Sequence, residues 1–490
     1  MPDIILATLN ARFIHSAFGL RYLLANMGDL SQQTALREFT LGIRERDVVE
    51  QILAEQPKIV GLSVYIWNVA ALTNVARILK AVAPGITLVL GGPEVSHEWD
   101  DAPIVETADY LIKGEGDLAF AQLCRDILND AAPEGKVIDG GLPSLPDLAS
   151  PYPHYSDFDL QHGRLVYVEA SRGCPFRCHF CLSSLDRSVR ALPLAPFLEQ
   201  MQSLLERGVR QWKFVDRTFN LKAETAEQIL RFFLDRYQDG MFLHFEMIPD
   251  RLPESLRPLI AAFPPGALQF EIGIQSFNPD VCARIGRRQN FLALEDNFRF
   301  LAEETGVHVH ADLIAGLPGE DLASFAQGFD KLRKLRPAEI QVGILKRLKG
   351  TPITAAGPEW EMTYATEAPY EILRTSHLTF GELQRLQRFA RFWDLVANSG
   401  RFPEQLPILL GEEAPGEEVP VEGHSAFGNF MAFADWIYDK LGVTSGIALS
   451  RLETLLKEYL GQRPGLPSGL PIAVLSNLPK RQRRRAELAV

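Results

Sequence analysis

The chain has 490 residues, 46% hydrophobic and 23% charged, with a formal net charge of -12. That composition is globular, fits about two to four domains, and gives a surface that repels phosphate backbones and anionic lipids, so nucleic acid is not the default partner. No apolar stretch reaches spanning length and no basic leader opens the chain, so neither a membrane span nor a signal peptide is expected and the cytoplasm is the expected location.

The first 130 residues alternate short apolar runs with amphipathic stretches. Strands are expected at 4–10, 36–41, 58–65, 86–92 and 108–116, with helices near 16–27, 46–56, 69–83 and 117–130. This alternation predicts a doubly wound parallel sheet over residues 1–135, of flavodoxin-like type. Each strand ends in small or polar residues: Asn10, Ser63 and Tyr65, then Gly91, Gly92, Pro93 and Glu94, then Gly114, Glu115 and Gly116. Ligands of open parallel sheets sit beyond those ends, so these loops form one candidate site. Residues 136–163, rich in Pro, Gly, Ser and Asp, read as a linker.

A second series follows over 164–348, with strands expected at 165–170, 211–219, 242–247, 268–276, 307–316 and 339–345. Six strand-helix units with polar residues at the strand ends predict a partial (β/α)6 barrel. Residues 349–490 are mostly helical by pattern, interrupted by a Pro/Gly/Glu-rich stretch at 403–423 and ended by the basic run "KRQRRR", Lys480 to Arg485, read as a solvated tail.

Five cysteines do not make a disulfide framework and suit a reducing compartment. Three of them, Cys174, Cys178 and Cys181, stand in "SRGCPFRCHFCLSS" directly after a predicted strand. Tetrahedral structural zinc and a complete iron-sulfur cage each want four protein ligands, so three leave one position on the metal unfilled. A zinc knuckle completed by His179 or a distant His is the alternative.

The C-x3-C-x2-C spacing, with the aromatic Phe180 before its last cysteine, resembles the radical S-adenosylmethionine (SAM) enzymes. The resemblance implies that the three thiolates hold three irons of a 4Fe-4S cluster, while the fourth iron takes the amino and carboxylate groups of SAM. One electron, from a donor such as flavodoxin or ferredoxin, then releases a 5'-deoxyadenosyl radical. "KFVDRTFN" places Asp216 and Arg217 where many members carry Gly-Gly-Glu, a departure that leaves open whether Asp216 meets SAM or substrate. "FEIGIQS" looks like the ribose-contacting strand, with Glu271, Gln275 and Ser276. "DLIAGLPGE", with Asp312 and Gly316, is similar to the motif flanking the adenine. These groups would otherwise satisfy one another inside the barrel.

"SVYIWN", "LGGPEVS" and "YLIKGEGD" resemble the cobalamin-binding domain fused ahead of many radical SAM cores. The resemblance implies that the glycines let backbone approach the corrin and its nucleotide tail, with Asn10 and Ser63 as polar contacts. The D-x-H-x-x-G motif is absent; His15 is expected near the corrin at a helix start, with no protein nitrogen below cobalt. The whole implies a cobalamin-dependent radical SAM methyltransferase acting on an unactivated carbon via methylcobalamin. Alternatives are a cyclisation, rearrangement or oxidation with the same cofactors, or a cobalamin- or redox-responsive binding module. Cys282 is expected to be a buried small hydrophobe. Tyr364, Tyr370, His377 and Trp393 could line a substrate pocket, with core packing the expected role for most of them.

Overall fold

The computed structural model describes residues 1–412 and 425–462, so the basic run 480–485 and most of the 403–423 stretch lie outside the described residues. The fold is mixed α/β and divides into two compact units. The first comprises Met1–Glu246 with Arg347–Pro352 and Ala365–Tyr370; the second comprises Met247–Lys346, Ile353–Tyr364 and the described residues from Glu371 on.

In the first unit, strands β1 (Ile4–Asn10), β2 (Thr34–Thr40), β3 (Ile59–Ser63), β4 (Thr87–Gly91), β5 (Tyr110–Lys113) and β6 (Val137–Asp139) form one sheet in the order β2-β1-β3-β4-β5-β6. Every pairing in it is parallel. The order reverses between β1 and β3, the switch point of flavodoxin-like sheets. β1 is buried along all seven residues of IILATLN, as a central strand covered on both faces must be. Helices α1 (Phe18–Ala25), α2 (Glu45–Leu53), α3 (Val69–Val82), α4 (Pro103–Thr107) and α5 (Ala119–Leu128) supply the cover. Leu72, Val75, Ala76 and Leu79 of α3 join one core cluster, and Phe120, Ala121, Leu123 and Cys124 of α5 join another.

The segment 136–163, expected as a linker, is structured. β6 pairs with β5 through Leu111 and Val137, adding a strand to the sheet. Helix α6 (Asp157–Gln161) starts in a reciprocal cap between Ser156 and Asp159. Asp159 also accepts from Arg21 at 2.9 Å and from Arg164 at 2.7 Å, while Glu38 on β2 accepts from Arg21 at 2.8 Å and Arg164 at 2.9 Å. All four side chains are under one-tenth exposed. Burial alone would push the Glu38 carboxyl up, but Arg21 and Arg164 outweigh it and hold it below its ordinary value.

The second series of strands begins in this unit with β7 (Val166–Val168). The small antiparallel pair β8 (Ser171–Arg172) and β9 (Arg190–Ala191) follows, then α7 (Leu194–Glu206), β10 (Gln211–Phe214), α8 (Ala223–Asp235) and β11 (Phe242–Met247). β10 lies parallel between β7 and β11. Trp212 and Phe214 point into a ring cluster with Phe233 and Phe245.

The second unit carries three more parallel strands, β12 (Leu268–Gln275), β13 (His308–Ala315) and β14 (Glu339–Ile344). Strict alternation along LQFEIGIQ and HVHADLIA buries Phe270, Ile272, Val309 and Leu313 on one face and half-buries Glu271, Gln275, His310 and Asp312 on the other. A sheet with one apolar and one polar face is what a barrel wall requires. Beyond β14, Phe329, Phe389, Trp393, Phe427 and Phe430 interlock, Phe329 crossing Trp393 edge-on at 4.8 Å. Trp393 is thus a core residue, as expected, and buried Cys282 directs its thiol to the Ser276 carbonyl at 3.3 Å.

Two stability outcomes follow from these contacts. Glu38→Ala strands two buried guanidiniums and is expected to cost about 3–5 kcal/mol in denaturant unfolding. Because the folded carboxyl sits below its unfolded value, the stability it contributes is full above that unfolded value, about 4.3, and is lost as pH falls through the folded one. Phe389→Ala removes the centre of the ring cluster and is expected to cost about 3–5 kcal/mol, read by the same titration.

Candidate functional site

A cavity of about 490 Å³ lies in the first unit against the carboxyl halves of β3, β4 and β5, beside α1 and α5. Its floor is apolar, with Leu20, Leu62, Leu90, Ile112 and Phe120, and its polar lining includes Ser63, Tyr65, Glu115 and Asp117. Gly91, Gly92, Gly114 and Gly116 are all part of the wall, so the two glycine strand ends singled out in the sequence do converge. Gly92 has no substitute: its φ is +111°, and a β carbon there would stand 2.5 Å from the Val64 carbonyl oxygen. An apolar floor with a few convergent polar groups fits a bulky ligand that is apolar in body and polar at its edge.

Four expected contacts lie outside that lining. Asn10 donates to Glu38 and to the His15 carbonyl, both at 3.0 Å. Ring nitrogen Nδ1 of His15 meets the Tyr167 hydroxyl at 2.7 Å, and burial, with Lys213, Arg12 and Arg164 nearby, holds its pKa down. Glu94 is buried against Lys349 at 3.1 Å and the Tyr370 hydroxyl at 2.7 Å, and Pro93 does not line the cavity. Local composition marked Asn10, His15 and Glu94 as polar groups at strand ends and loops; Glu38, Tyr167, Lys349 and Tyr370 took them.

The sequence reading missed the other side of the cavity. Glu169, at the end of β7, and Arg172, two residues before Cys174, line it together with Arg217. Arg172 donates to Glu169 and Glu115 at 2.8 Å and to Asp117 at 3.0 Å, and its guanidinium lies 4.4 Å above the Tyr22 ring. The available signal was an arginine beside the cysteine motif and the acidic "GEGD" loop, whose charges need each other once buried. Arg217, expected at SAM, borders the glycine-lined cavity, pairs with Glu246 at 2.8 Å and stands near enough to Cys174 for its charge to act on that thiol.

The cysteine loop is closed at its neck by the β8–β9 pair. Gly173, at φ +93°, packs its α carbon against the Ser188 carbonyl, where any β carbon would collide. The Cys174 N–H donates to the Asp186 carbonyl at 3.1 Å, and the Cys181 N–H donates to the Cys178 carbonyl at 3.1 Å. Cys178 is buried; Cys174, Cys181 and Phe180 are half-buried. Burial pushes the Cys174 thiol up, and the neighbouring sulfurs of Cys181 and Cys178 push it further. A 4Fe-4S cluster spreads its thiolates over separate irons, so three cysteines on one closed loop fit it without converging on a point. Among the described residues, no group of three or more His, Cys, Asp or Glu is gathered as ligands of a single metal ion.

Asp216 is not a ligand-facing group. Its Oδ2 accepts from the Ala170 N–H at 2.9 Å and its Oδ1 from the Ser171 hydroxyl at 2.6 Å, so both oxygens hold the chain leading into the cysteine loop. In the second unit, the Ser276 hydroxyl donates to Glu320 at 2.5 Å and is buried, which corrects its expected role at a ribose. Gly316 turns at φ +92° beneath Ile372. Gln275 ends β12 with φ +73°, rare for a residue with a side chain, and its buried Oε1 has no hydrogen-bond partner among the described residues. Asp312 stands 3.2 Å from His310, and burial, with Glu271 nearby, raises its pKa.

Comparison with known proteins agrees with this geometry. Residues 4–124 match the B12 binding domain, residues 168–332 the radical SAM superfamily, and residues 358–460 a protein family of unknown function, DUF4080. An uncharacterized methyltransferase of Pyrococcus horikoshii is 24% identical over 377 residues, 70% of this chain and 77% of that one. The cobalamin-dependent radical SAM methyltransferase TokK of Streptomyces tokunonensis is 26% identical, over 56% of this chain. The match spans 45% of TokK, about half its length. Among solved structures, the radical SAM methyltransferase TsrM of Kitasatospora setae, with cobalamin and a [4Fe-4S] cluster bound, superposes with a TM-score of 0.62 at 17% identity. It covers 89% of this chain and 100% of TsrM, and so shares its fold.

The fold and the domain matches define a radical SAM enzyme with an N-terminal cobalamin-binding domain. The chain joins a B12-binding domain at residues 4–124 to a radical SAM domain at residues 168–332, and the cofactors of those two domains are a 4Fe-4S cluster, SAM and cobalamin. Among the described residues, no helix is long and apolar enough to cross a membrane.

Two outcomes test the site. Gly92→Ala is expected to lose hydroxocobalamin on gel filtration while keeping wild-type iron content, because the distortion is confined to the end of β4. Asp216 is raised by burial to about 7, so between its unfolded value, about 4, and about 7 the folded state holds the extra proton and stability falls as pH rises. In Asp216→Asn that part of the pH-stability slope is expected to vanish; an unchanged slope would show that another group titrates there.

Proposed function

We propose that this enzyme is a cobalamin-dependent radical SAM methyltransferase that places a methyl group on an unactivated carbon of its substrate. The observation that carries the reading is the composition of one cavity wall: glycine strand ends of the B12-binding domain on one side, Glu169 and Arg172 of the cysteine-bearing segment on the other. Two reactive groups that must exchange a fragment need a short path between them, and a shared wall supplies it. The names of the Pyrococcus and Streptomyces relatives support methyl transfer.

When bound, the cluster would supply the electron for reductive SAM cleavage and cobalamin would serve as the methyl carrier; that chemistry is the cofactors' own. The protein's part is placement. Cys174, Cys178 and Cys181 would hold three irons, on a loop whose entry is fixed by Asp216 and whose backbone is anchored by Asp186. Ser63, Tyr65, Gly91, Gly92, Gly114 and Gly116 would carry the cobalamin, its apolar body against Leu90, Ile112 and Phe120. Gln275, at the end of β12, and Asp312, on the half-buried face of β13, keep the role of SAM or substrate contacts in the second unit.

The test uses anaerobically reconstituted protein, dithionite and SAM labelled with deuterium in its methyl group. Methyl transfer predicts 5'-deoxyadenosine with methionine from cleaved SAM and, only when hydroxocobalamin is present, S-adenosylhomocysteine with the deuterated methyl group recovered on cobalamin. Cys178→Ala is expected to lower 5'-deoxyadenosine at least about 100-fold, a barrier increase of about 2.7 kcal/mol. 5'-Deoxyadenosine without cobalamin-dependent S-adenosylhomocysteine would replace the proposal with a non-methylating radical reaction.

A further inference from the structure

Arg172 and Arg190 face each other directly across the β8–β9 ladder, the two-residue neck from which the cysteine loop hangs. Like charges opposite one another on a ladder repel and would open that neck. They are held together by a single carboxylate from elsewhere in the unit. Glu115 accepts from Arg172 at 2.8 Å and is bonded to Arg190 through both of its oxygens. Asp117 adds two bonds to Arg172, at 3.0 and 3.1 Å, and Asp186 adds one to Arg190 at 3.3 Å. Glu115 sits between Gly114 and Gly116 in the loop after β5, and all three line the cavity assigned to cobalamin. The covalent path from this clamp to the first cysteine is one residue long, through Gly173, whose backbone is wedged against Ser188.

We propose that Glu115 is a positioning residue that couples the two cofactor sites: filling the cavity fixes the 114–117 loop, the loop fixes the arginine pair, and the pair sets the neck of the cysteine loop. The inference rests on the cavity being the cobalamin site. Coupling of this kind is reciprocal, so a loaded cluster tightens cobalamin binding by the factor with which cobalamin tightens the cluster loop. Asp216 and the loop's own backbone bonds hold the cysteines whether or not the clamp is closed, so the clamp governs communication rather than cluster assembly.

The experiment measures the hydroxocobalamin dissociation constant by anaerobic equilibrium dialysis, for iron-loaded and iron-free protein. In the wild type the two constants are expected to differ by at least about fivefold, the lower bound of ordinary allosteric coupling. In Glu115→Gln, which keeps shape and removes charge, the ratio falls to near one while iron content stays at the wild-type level. Should that variant fail to fold, the double variant Glu115→Gln with Arg190→Gln removes the unbalanced pair, and its ratio is also expected near one. Arg164→Lys, in the separate network with Glu38 and Asp159, lowers stability but leaves the ratio intact, which separates coupling from general loosening. A wild-type ratio of one, or a ratio undiminished in the folded Glu115 variants, overturns the proposal. Absence of any hydroxocobalamin binding overturns the cavity assignment instead, and is recognised by the lack of a binding curve.

Discussion

A guanidinium can be buried only if carboxylates come with it, and the first unit depends on that constraint twice. Arg21 and Arg164 meet Glu38 and Asp159; Arg172 meets Glu115, Asp117 and Glu169. Each set draws its acids from both the N-terminal sheet and the segment that follows it. Hydrophobic contact alone would hold these parts together in many registers, since apolar surfaces slide at little cost. A buried ion set admits one arrangement, because a shift of one residue leaves a charge unpaired. The networks therefore fix where the cysteine loop stands relative to the cavity, and the shared cavity wall follows from that.

The same constraint separates strand-end residues that hold the structure from those that remain for ligands. Polar groups at the carboxyl ends of parallel strands look alike in sequence, and Asp216, Ser276 and Gln275 were all plausible ligand contacts. Asp216 has both oxygens engaged by the chain entering the cysteine loop, and Ser276 is closed off by Glu320. Gln275 differs: its backbone is held at φ +73°, and Arg287 and Gln289 bond the carbonyls of Gly273 and Ile274 just before it. A strained residue persists only where its surroundings over-determine it, and such strain gathers at ligand clamps.

Much of this was legible in the residues. Period-two burial of LQFEIGIQ and HVHADLIA is written in their alternation, and IILATLN announces a strand buried on both faces. The cysteine spacing and the glycine strand ends pointed to the two cofactor sites. Structure in 136–163 was not legible, because β6 is three residues long and forms only by adding to an existing edge, while α6 has one short turn that a distant Arg21 holds in place. Local periodicity carries no trace of such dependence. Arg172 and Arg190 escaped for the same reason: their partner Glu115 lies 57 and 75 residues away, and charges in a sequence do not state whom they will meet.

The acidic "GEGD" loop shows how one segment serves two demands. Its glycines are there for approach: Gly114 turns at φ +77°, and both it and Gly116 present bare backbone to the cavity. Its acids also line the cavity, where Glu115 and Asp117 neutralise arginines that would repel each other at the neck of the cysteine loop. A loop built only to bind an apolar body would not need two carboxylates, and one built only to balance arginines would not need two glycines. Their interleaving over four residues puts part of the cavity wall and the carboxylates that balance the arginine pair on a single piece of backbone.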